Sequence, residues 1–477
     1  MAIVFRDVEL DGSRRADVAL GADGRVRAVG RLRAGPGGTV VDGRGGALLP
    51  GLADRHLHLM ACAAALVSVD CGPPRVRTAE ALAAALRARA ATTAPGGWIR
   101  GVGYHESVAG PLDRDRLDAL VADLPVRVQH RSGALWAVNS AGARLLGLDD
   151  PARTPPAGVE SDAAGRATGR LWRLDSWMRE RLGPPETPDL AAVGRLLASY
   201  GVTAVTDATP DLEPGTVAEL ARAAGDGRLP QRLTLLGSGP GEQPVDERWT
   251  PGPYKLQPPD HDPWPYGELL DRVRAARGSG RRPVAVHCVT REALVLTLVA
   301  LREAGPVPGD RIEHAAVVPP ELRPLMRDLG VRVVTQPVFV AERGDAYLAE
   351  VDPADRPHLY PYASLLGAGI PVTPSSDAPY GGLDPWAGVR AARDRRTPSG
   401  RVLGPAERVG AGTALRGLLS RPTVRPGDPA DLCLLHVPWR EALSRPDAGL
   451  VRLVLCGGAV VYGGGGGEAV VGGLVRR

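Results

Sequence analysis

A chain of 477 residues is too long for one small core and suggests one large domain with attachments, or two domains. Its 44% hydrophobic and 23% charged content is ordinary for a soluble globular protein, and a net charge of +4 with interleaved signs leaves no basic tract for nucleic acid. Five cysteines without a C-x-x-C pair fit a reduced, cytoplasmic compartment, the N-terminus lacks a signal-peptide core, and the apolar run Leu59 to Val69 is too short to span a bilayer.

Residues 1–50 read as short strands with tight turns: Ile3–Leu10, Ala16–Leu20, Arg25–Gly30 and a strand near Val40-Val41. The far end has the same texture in Ala430–Val437, Val451–Leu455 and Ala459–Tyr462, before a five-glycine run, Gly463–Gly467, and a last apolar stretch. Both ends are therefore expected to build one composite β-sandwich domain, 1–50 with 400–477, around an inserted domain, 51–399. That inserted part opens with Ala47–His58, a Pro-Gly-punctuated entry into a buried strand. Residues 60–200 exceed what one crossover needs and read as an insertion at the mouth of the fold, a natural place for specificity elements. From about 200 onward, strands Val202–Asp207, Arg232–Gly237, Tyr254–Gln257, Pro283–Val289, Arg311–Val317, Val331–Gln336 and Ile370–Asp377 alternate with helices Val217–Ala224, Tyr266–Arg277, Arg291–Ala304, Pro320–Leu329 and Ala363–Ala368. With the first strand this makes eight, which predicts an α/β fold built on a closed (β/α)8, TIM-like barrel. An open doubly wound sheet is the alternative, but no G-x-G-x-x-G follows an early strand.

The strand ends carry the chemistry. His56 and His58, spaced i, i+2 on an extended strand, present both imidazoles on one face. Lys255, His287, His314 and Asp377 end later strands, and in a barrel the C-terminal strand ends converge on one mouth. Four histidines and an aspartate exceed what one tetrahedral zinc requires and suit two divalent ions sharing a bridge. Among 58 basic residues Lys255 is the only lysine. Lysine can lose its proton and, with CO2, become an anionic carbamate bridge, which arginine cannot. The paired ions would bring a bridging water to near-neutral pKa, giving a metal-activated hydroxide, with Asp377 as general base and then acid. Arg131, Gln336, His105 and Trp136 are candidate substrate contacts, Arg131 as a clamp for a carboxylate.

These pieces resemble the metal-dependent amidohydrolase superfamily, in its amidohydrolase family 3 or YtcJ-like branch. The likeness rests on Leu49-Pro-Gly-Leu-Ala-Asp-Arg-His-Leu-His58, Gly201–Asp207, Pro283–Thr290, Arg311-Ile-Glu-His-Ala315, Thr335-Gln-Pro337, Ser376-Asp-Ala-Pro379 and Pro429-Ala-Asp-Leu432. It implies a β-sandwich plus barrel, usually zinc, and hydrolysis of non-peptide C–N bonds, often amides or N-formyl groups. It also implies His56 and His58 on a buried ion, a carboxylated Lys255 bridging, His287 and His314 on an outer ion, and Asp377 as ligand and proton shuttle. The chain departs from the pattern at Arg131-Ser-Gly-Ala-Leu-Trp136, at Pro258–Asp262 and at Ser375-Ser-Asp377, which bear on the substrate more than on the metals. The alternatives are a deaminase or cyclic-amide ring-opening hydrolase acting on a heterocycle, which a bridging Lys255 disfavours in its mononuclear form, and a non-catalytic scaffold. The expected partner is a small-molecule substrate, with no nucleic acid and no membrane; homo-oligomerisation stays open.

Overall fold

In the computed structural model, which describes residues 3–32, 38–150, 152–182, 188–239, 249–259, 264–278 and 280–464, the expected first strand, Ala47–His58, is two strands. Leu48–Pro50 pairs antiparallel with Leu432–Leu435, whereas Leu52–Leu57 pairs parallel with Val202–Asp207. Gly51 separates them. Its N–H donates to the Asp431 carbonyl and its own carbonyl accepts from the Ser420 N–H, each at 2.9 Å. A β-carbon at Gly51 would meet Thr203 Oγ1 at 2.1 Å, so any side chain would collide where the chain passes from one sheet to the other.

The terminal strands make two four-stranded sheets. One orders Val26–Gly30, Arg14–Leu20, Ile3–Leu10 and Thr39–Asp42; the other orders Ala459–Gly463, Val451–Cys456, Leu432–Leu435 and Leu48–Pro50. One core joins them, with Phe5, Val18 and Leu20 from the first sheet packed with Leu432, Leu434, Leu453 and Leu455 from the second. The alternation of buried and open positions along Arg14–Leu20 is the period of a strand covered on one face. The expected glycine run from Gly465 on, and the last apolar stretch, lie outside the described residues.

Two parallel sheets hold the middle of the chain. The first orders Trp249–Pro251, Arg232–Leu235, Val202–Asp207 and Leu52–Leu57. The second orders Tyr254–Leu256, Val284–Cys288, Arg311–His314, Arg332–Thr335 and Val372–Pro374. Two links join them: the Lys255 N–H donates to the carbonyl of Leu236, just after strand Arg232–Leu235, at 3.1 Å, and a parallel bridge joins Leu57 to Ala378. Continuous burial along Arg311–His314, and nearly so along Val284–Cys288, is what parallel strands covered on both faces require. Helices Tyr266–Arg277 and Arg291–Ala304 follow the expected bounds. Cys288 turns into that helical layer, with its Sγ 3.4 Å from Thr297 Oγ1.

The sequence reading missed helix Val338–Glu350. Its fully buried apolar residues, Val338, Phe339 and Val340, are consecutive rather than spaced at i, i+3 and i+4, so no helical period is visible. Arg55, an odd charge beside two metal-capable histidines, turns to the opposite face of its strand. Its guanidinium donates to the Gly417 and Leu419 carbonyls at 3.2 and 3.1 Å, at the C-terminus of helix Ala411–Leu418. A cation is favoured there because the last helical carbonyls lack partners and carry the negative end of the helix dipole.

The chain divides into two compact units: Met1–Leu59 with Leu190–Arg477, and Met60–Asp189. Helix Leu190–Ser199, expected as the tail of the insertion, falls in the first unit. The second unit has its own six-stranded sheet, ordered Val159–Ser161, Ala167–Trp172, Leu135–Val138, Val126–His130, Ile99–Tyr104 and Val69–Asp70. Two apolar clusters flank it, one around Leu82, Leu86 and Ile99, the other around Trp136, Val138 and Leu171. No helix among the described residues is long and apolar enough to cross a membrane.

Phe5, fully buried, packs where both chain ends meet. Phe5→Ala should cost about 3–5 kcal/mol through lost burial and the cavity left behind. Urea unfolding of variant and parent measures it.

Candidate metal centre

The end of strand Leu52–Leu57 is bound through its backbone to the loop after Val372–Pro374. The Asp377 N–H donates to the His56 carbonyl and the His58 N–H to the Ala378 carbonyl, both at 2.8 Å. This pairing brings Asp377 beside the two histidines. Its Oδ1 lies 3.4 Å from His56 Nε2 and 3.2 Å from His58 Nε2, and its Oδ2 lies 3.9 Å from His314 Nδ1. The His314 ring centroid is 4.9 Å from that of His56 and 4.5 Å from that of His287. One ligand atom from each of His56, His314 and Asp377 lies within 4.8 Å of the other two.

Two of these residues depart from extended backbone. His314 has φ +66° and Asp377 has φ +54°, in the left-handed region that non-glycine residues enter at a cost of ~1–3 kcal/mol each. At His314 the departure has a visible use. Consecutive strand residues face opposite sides, yet Glu313 and His314 both reach His56, because the backbone reverses its hand between them.

Lys255 is 1% exposed, and its Nζ has no hydrogen-bond partner among the described residues. Burial lowers the lysine pKa, against the pull of Glu313 and Asp377. A buried ammonium without a partner is costly, so the pocket favours a neutral amine or a group that the amine becomes. Burial also drives His56 well below its usual range and His314 down to about 3, so both rings are neutral with a lone pair to give. Burial opposes ionisation of Asp377, but His56, His58 and His314 outweigh it and hold the carboxyl far below its usual range.

Each of three histidines has its Nδ1 engaged by a different partner: His56 by Glu313 Oε2, His58 by Thr209 Oγ1 at 2.9 Å, and His314 by Gln336 Oε1 at 2.8 Å. In metal sites the non-ligating ring nitrogen is held in this way. With the orphaned lysine amine, neutral rings and an ionised carboxylate, this donor set fits a divalent metal centre. A second His/carboxylate group, His105, Glu106 and His130, lies in the other unit with ligand atoms equally close. There the two Nδ1 atoms accept backbone N–H bonds, from Ser107 at 3.3 Å and Ser132 at 3.1 Å. The neutral ring's proton then sits on Nε2, which His130 donates to Glu106 at 3.0 Å. A protonated ring nitrogen has no lone pair for a metal.

The structure thus places His56, His58, His287, His314, Lys255 and Asp377 in one unit. Gln336 is fully buried, with its carbonyl on His314 and its NH2 donating to Ser375 Oγ at 2.9 Å, so it holds a histidine ring. Trp136 is 3% exposed in the core of the second unit, and its indole N–H donates to Asp175 at 2.9 Å, which makes it a packing residue. His105 caps helix Glu106–Ala109, and Arg131 follows strand Val126–His130, its N–H bonded to the Tyr104 carbonyl at 2.8 Å.

Sequence reasoning missed Glu313, Arg311, Thr209 and Asp54. Glu313 is fully buried; burial would raise its carboxyl, but Arg311 and Lys255 hold it below the usual range. Asp54, 3% exposed, accepts from the backbone N–H groups of His56 and Ser376 at 3.2 and 3.3 Å, and burial raises its pKa to about 6. The available signal was charge itself: Arg311 and Glu313 inside a strand reading Arg-Ile-Glu-His are hard to bury unpaired. Gln336→Leu leaves His314 Nδ1 and Ser375 without their partner and should cost about 1–3 kcal/mol, read from denaturant unfolding of the metal-free protein.

Comparison with known proteins adds four likenesses. The family model described as "Amidohydrolase family" matches residues 39–462. The chain is 26% identical to the N-substituted formamide deformylase of Arthrobacter pascens over 460 residues, 84% of each chain. It is 26% identical to the putative amidohydrolase YtcJ of Bacillus subtilis (strain 168) over 406 residues, 74% of each. Its fold is similar to the crystal structure of a metal-dependent hydrolase from Pyrococcus horikoshii OT3, with TM-score 0.69 at 21% identity over 91% of this chain and 97% of that one.

Proposed function

The chain belongs to the amidohydrolase family, hydrolases of carbon–nitrogen bonds other than peptide bonds, and from that premise we propose that it hydrolyses an amide, in particular an N-formyl or N-acyl amine. The observation that carries the metal-dependent reading is the gathering of Asp377 with His56, His58 and His314 near a lysine amine that has no hydrogen-bond partner among the described residues. The likeness to an N-substituted formamide deformylase supports the N-formyl substrate. The two links between the parallel sheets support closure into a (β/α)8 barrel. The core shared by both chain ends supports a composite β-sandwich domain of 1–50 and 400–477, and the compactness of Met60–Asp189 supports an insertion into 51–399. Five buried cysteines, none in a disulfide, fit a reduced, cytoplasmic setting.

Two zinc ions would be held by His56, His58, His287, His314 and Asp377, with Lys255 as a carbamate between them. When bound they supply Lewis acidity, which brings a water toward neutral pKa and polarises the substrate carbonyl. The rest falls to the chain. Lys255 reacts as the neutral amine: its Nζ forms a bond to CO2 carbon and releases one proton. Asp377, ionised and close to two imidazoles, takes the proton from the attacking water on a carboxylate oxygen. It then gives that proton to the nitrogen as the C–N bond breaks, leaving a carboxylic acid (formic acid from an N-formyl substrate) and a free amine. His56 and His314 stay neutral throughout, held by their Nδ1 partners.

Protein purified after expression with zinc and bicarbonate should hold about two zinc ions per chain by elemental analysis, and should release formate from N-substituted formamides. Lys255→Arg should lose the second ion and the activity together; full retention of both would refute the carbamate. Asp377→Asn should keep substrate binding while kcat falls by roughly 10²–10⁴, a range set by loss of proton transfer.

A further inference from the structure

We infer that Glu313, clamped by Arg311, is the positioning residue that sets the tautomer of His56 and so gives His56 its ligating Nε2. The inference rests on the metal-dependent reading of the same site. His56 Nδ1 has Glu313 Oε2 as its partner, and a carboxylate can only accept, so the ring proton sits on Nδ1. Nε2, the nitrogen aimed at Asp377, keeps its lone pair.

The carboxylate is held from its other side. Arg311 Nε donates to Oε1 at 2.7 Å and Arg311 Nη2 to Oε2 at 2.9 Å, a two-toothed grip that fixes the carboxylate plane. The same Nη2 donates to the Arg55 carbonyl at 3.0 Å, one residue before His56, so the guanidinium ties the carboxylate to the backbone of the strand it serves. Arg311, Glu313 and His56 are 9%, 0% and 1% exposed, so bulk water has little access to these bonds. The three Nδ1 partners are also unequal: an anion on His56, a hydroxyl on His58 and a neutral amide on His314. An anionic partner raises the basicity of the ring most, which makes His56 the strongest imidazole donor of the three.

The test uses the full chain, labelled with 15N-histidine and made metal-free, and then titrated with zinc against a chromophoric chelator. The His56 resonances are assigned by their absence in His56→Asn. Glu313→Leu removes the acceptor, and Arg311→Met/Glu313→Leu also removes the unpaired guanidinium, so a folded variant is available if the single one fails. In the parent His56 carries its proton on Nδ1; in the Leu variants the proton moves to Nε2 in a large share of molecules and zinc binds about 10–100-fold more weakly. Arg311→Met/Glu313→Gln, which restores a neutral carbonyl acceptor, should recover most of the tautomer and part of the affinity. A merely structural role would change the melting temperature without moving the tautomer. Unchanged tautomer and zinc affinity in the Leu variants, or a parent with the proton on Nε2, would overturn the inference. If the parent binds no zinc, the metal reading falls, and the tautomer in the metal-free protein still decides the role of Glu313.

Discussion

The approach of one carboxylate to three imidazoles governs this centre. Asp377 comes within 3.2 to 3.9 Å of ring nitrogens on His56, His58 and His314, and two backbone hydrogen bonds hold it there by closing strand Leu52–Leu57 onto the loop after Val372–Pro374. Those two bonds join the first strand of the parallel series to the last. The sheet topology and the ligand geometry are therefore one constraint: loosening the strand closure would move Asp377 away from the histidines.

So many ionisable groups can lie indoors because most find a local partner. Glu313 is paired with a guanidinium in the same strand, and the Asp377 carboxyl, flanked by imidazoles, stays below its usual range. The Lys255 amine has no hydrogen-bond partner among the described residues. In the proposed reading a divalent metal with a carbamate would satisfy that amine, whereas an apolar core of the same shape would not need it. The His105, Glu106 and His130 group shows the contrast. Similar residue types lie equally close, but backbone donors occupy the nitrogens that would have to be protonated for Nε2 to bind a metal.

Much of the centre was legible in order along the chain. The i, i+2 histidines, the solitary lysine and the strand-end histidines and aspartate obey short-range rules, namely strand alternation and the placement of chemistry at strand ends. The period of a strand or helix depends on neighbours in sequence, and for that reason helices Tyr266–Arg277 and Arg291–Ala304 could be bounded from sequence. Helix Val338–Glu350 could not, since its buried residues bunch at one end and its stability comes from the apolar cluster that it joins.

What the sequence by itself determined is the inventory: family motifs, ligand types, the parallel series of strands and the β-rich ends. Tertiary structure alone decided which ring nitrogen each histidine presents. Glu313, Thr209 and Gln336 lie 257, 151 and 22 residues from the rings they hold, and no local pattern links such distant partners. It also decided that Gln336 holds His314 and that Trp136 pairs with Asp175, because an amide or indole reveals its partner only once folding places it alongside. Hydrogen bonds act over about 3 Å of space, whatever the separation along the chain.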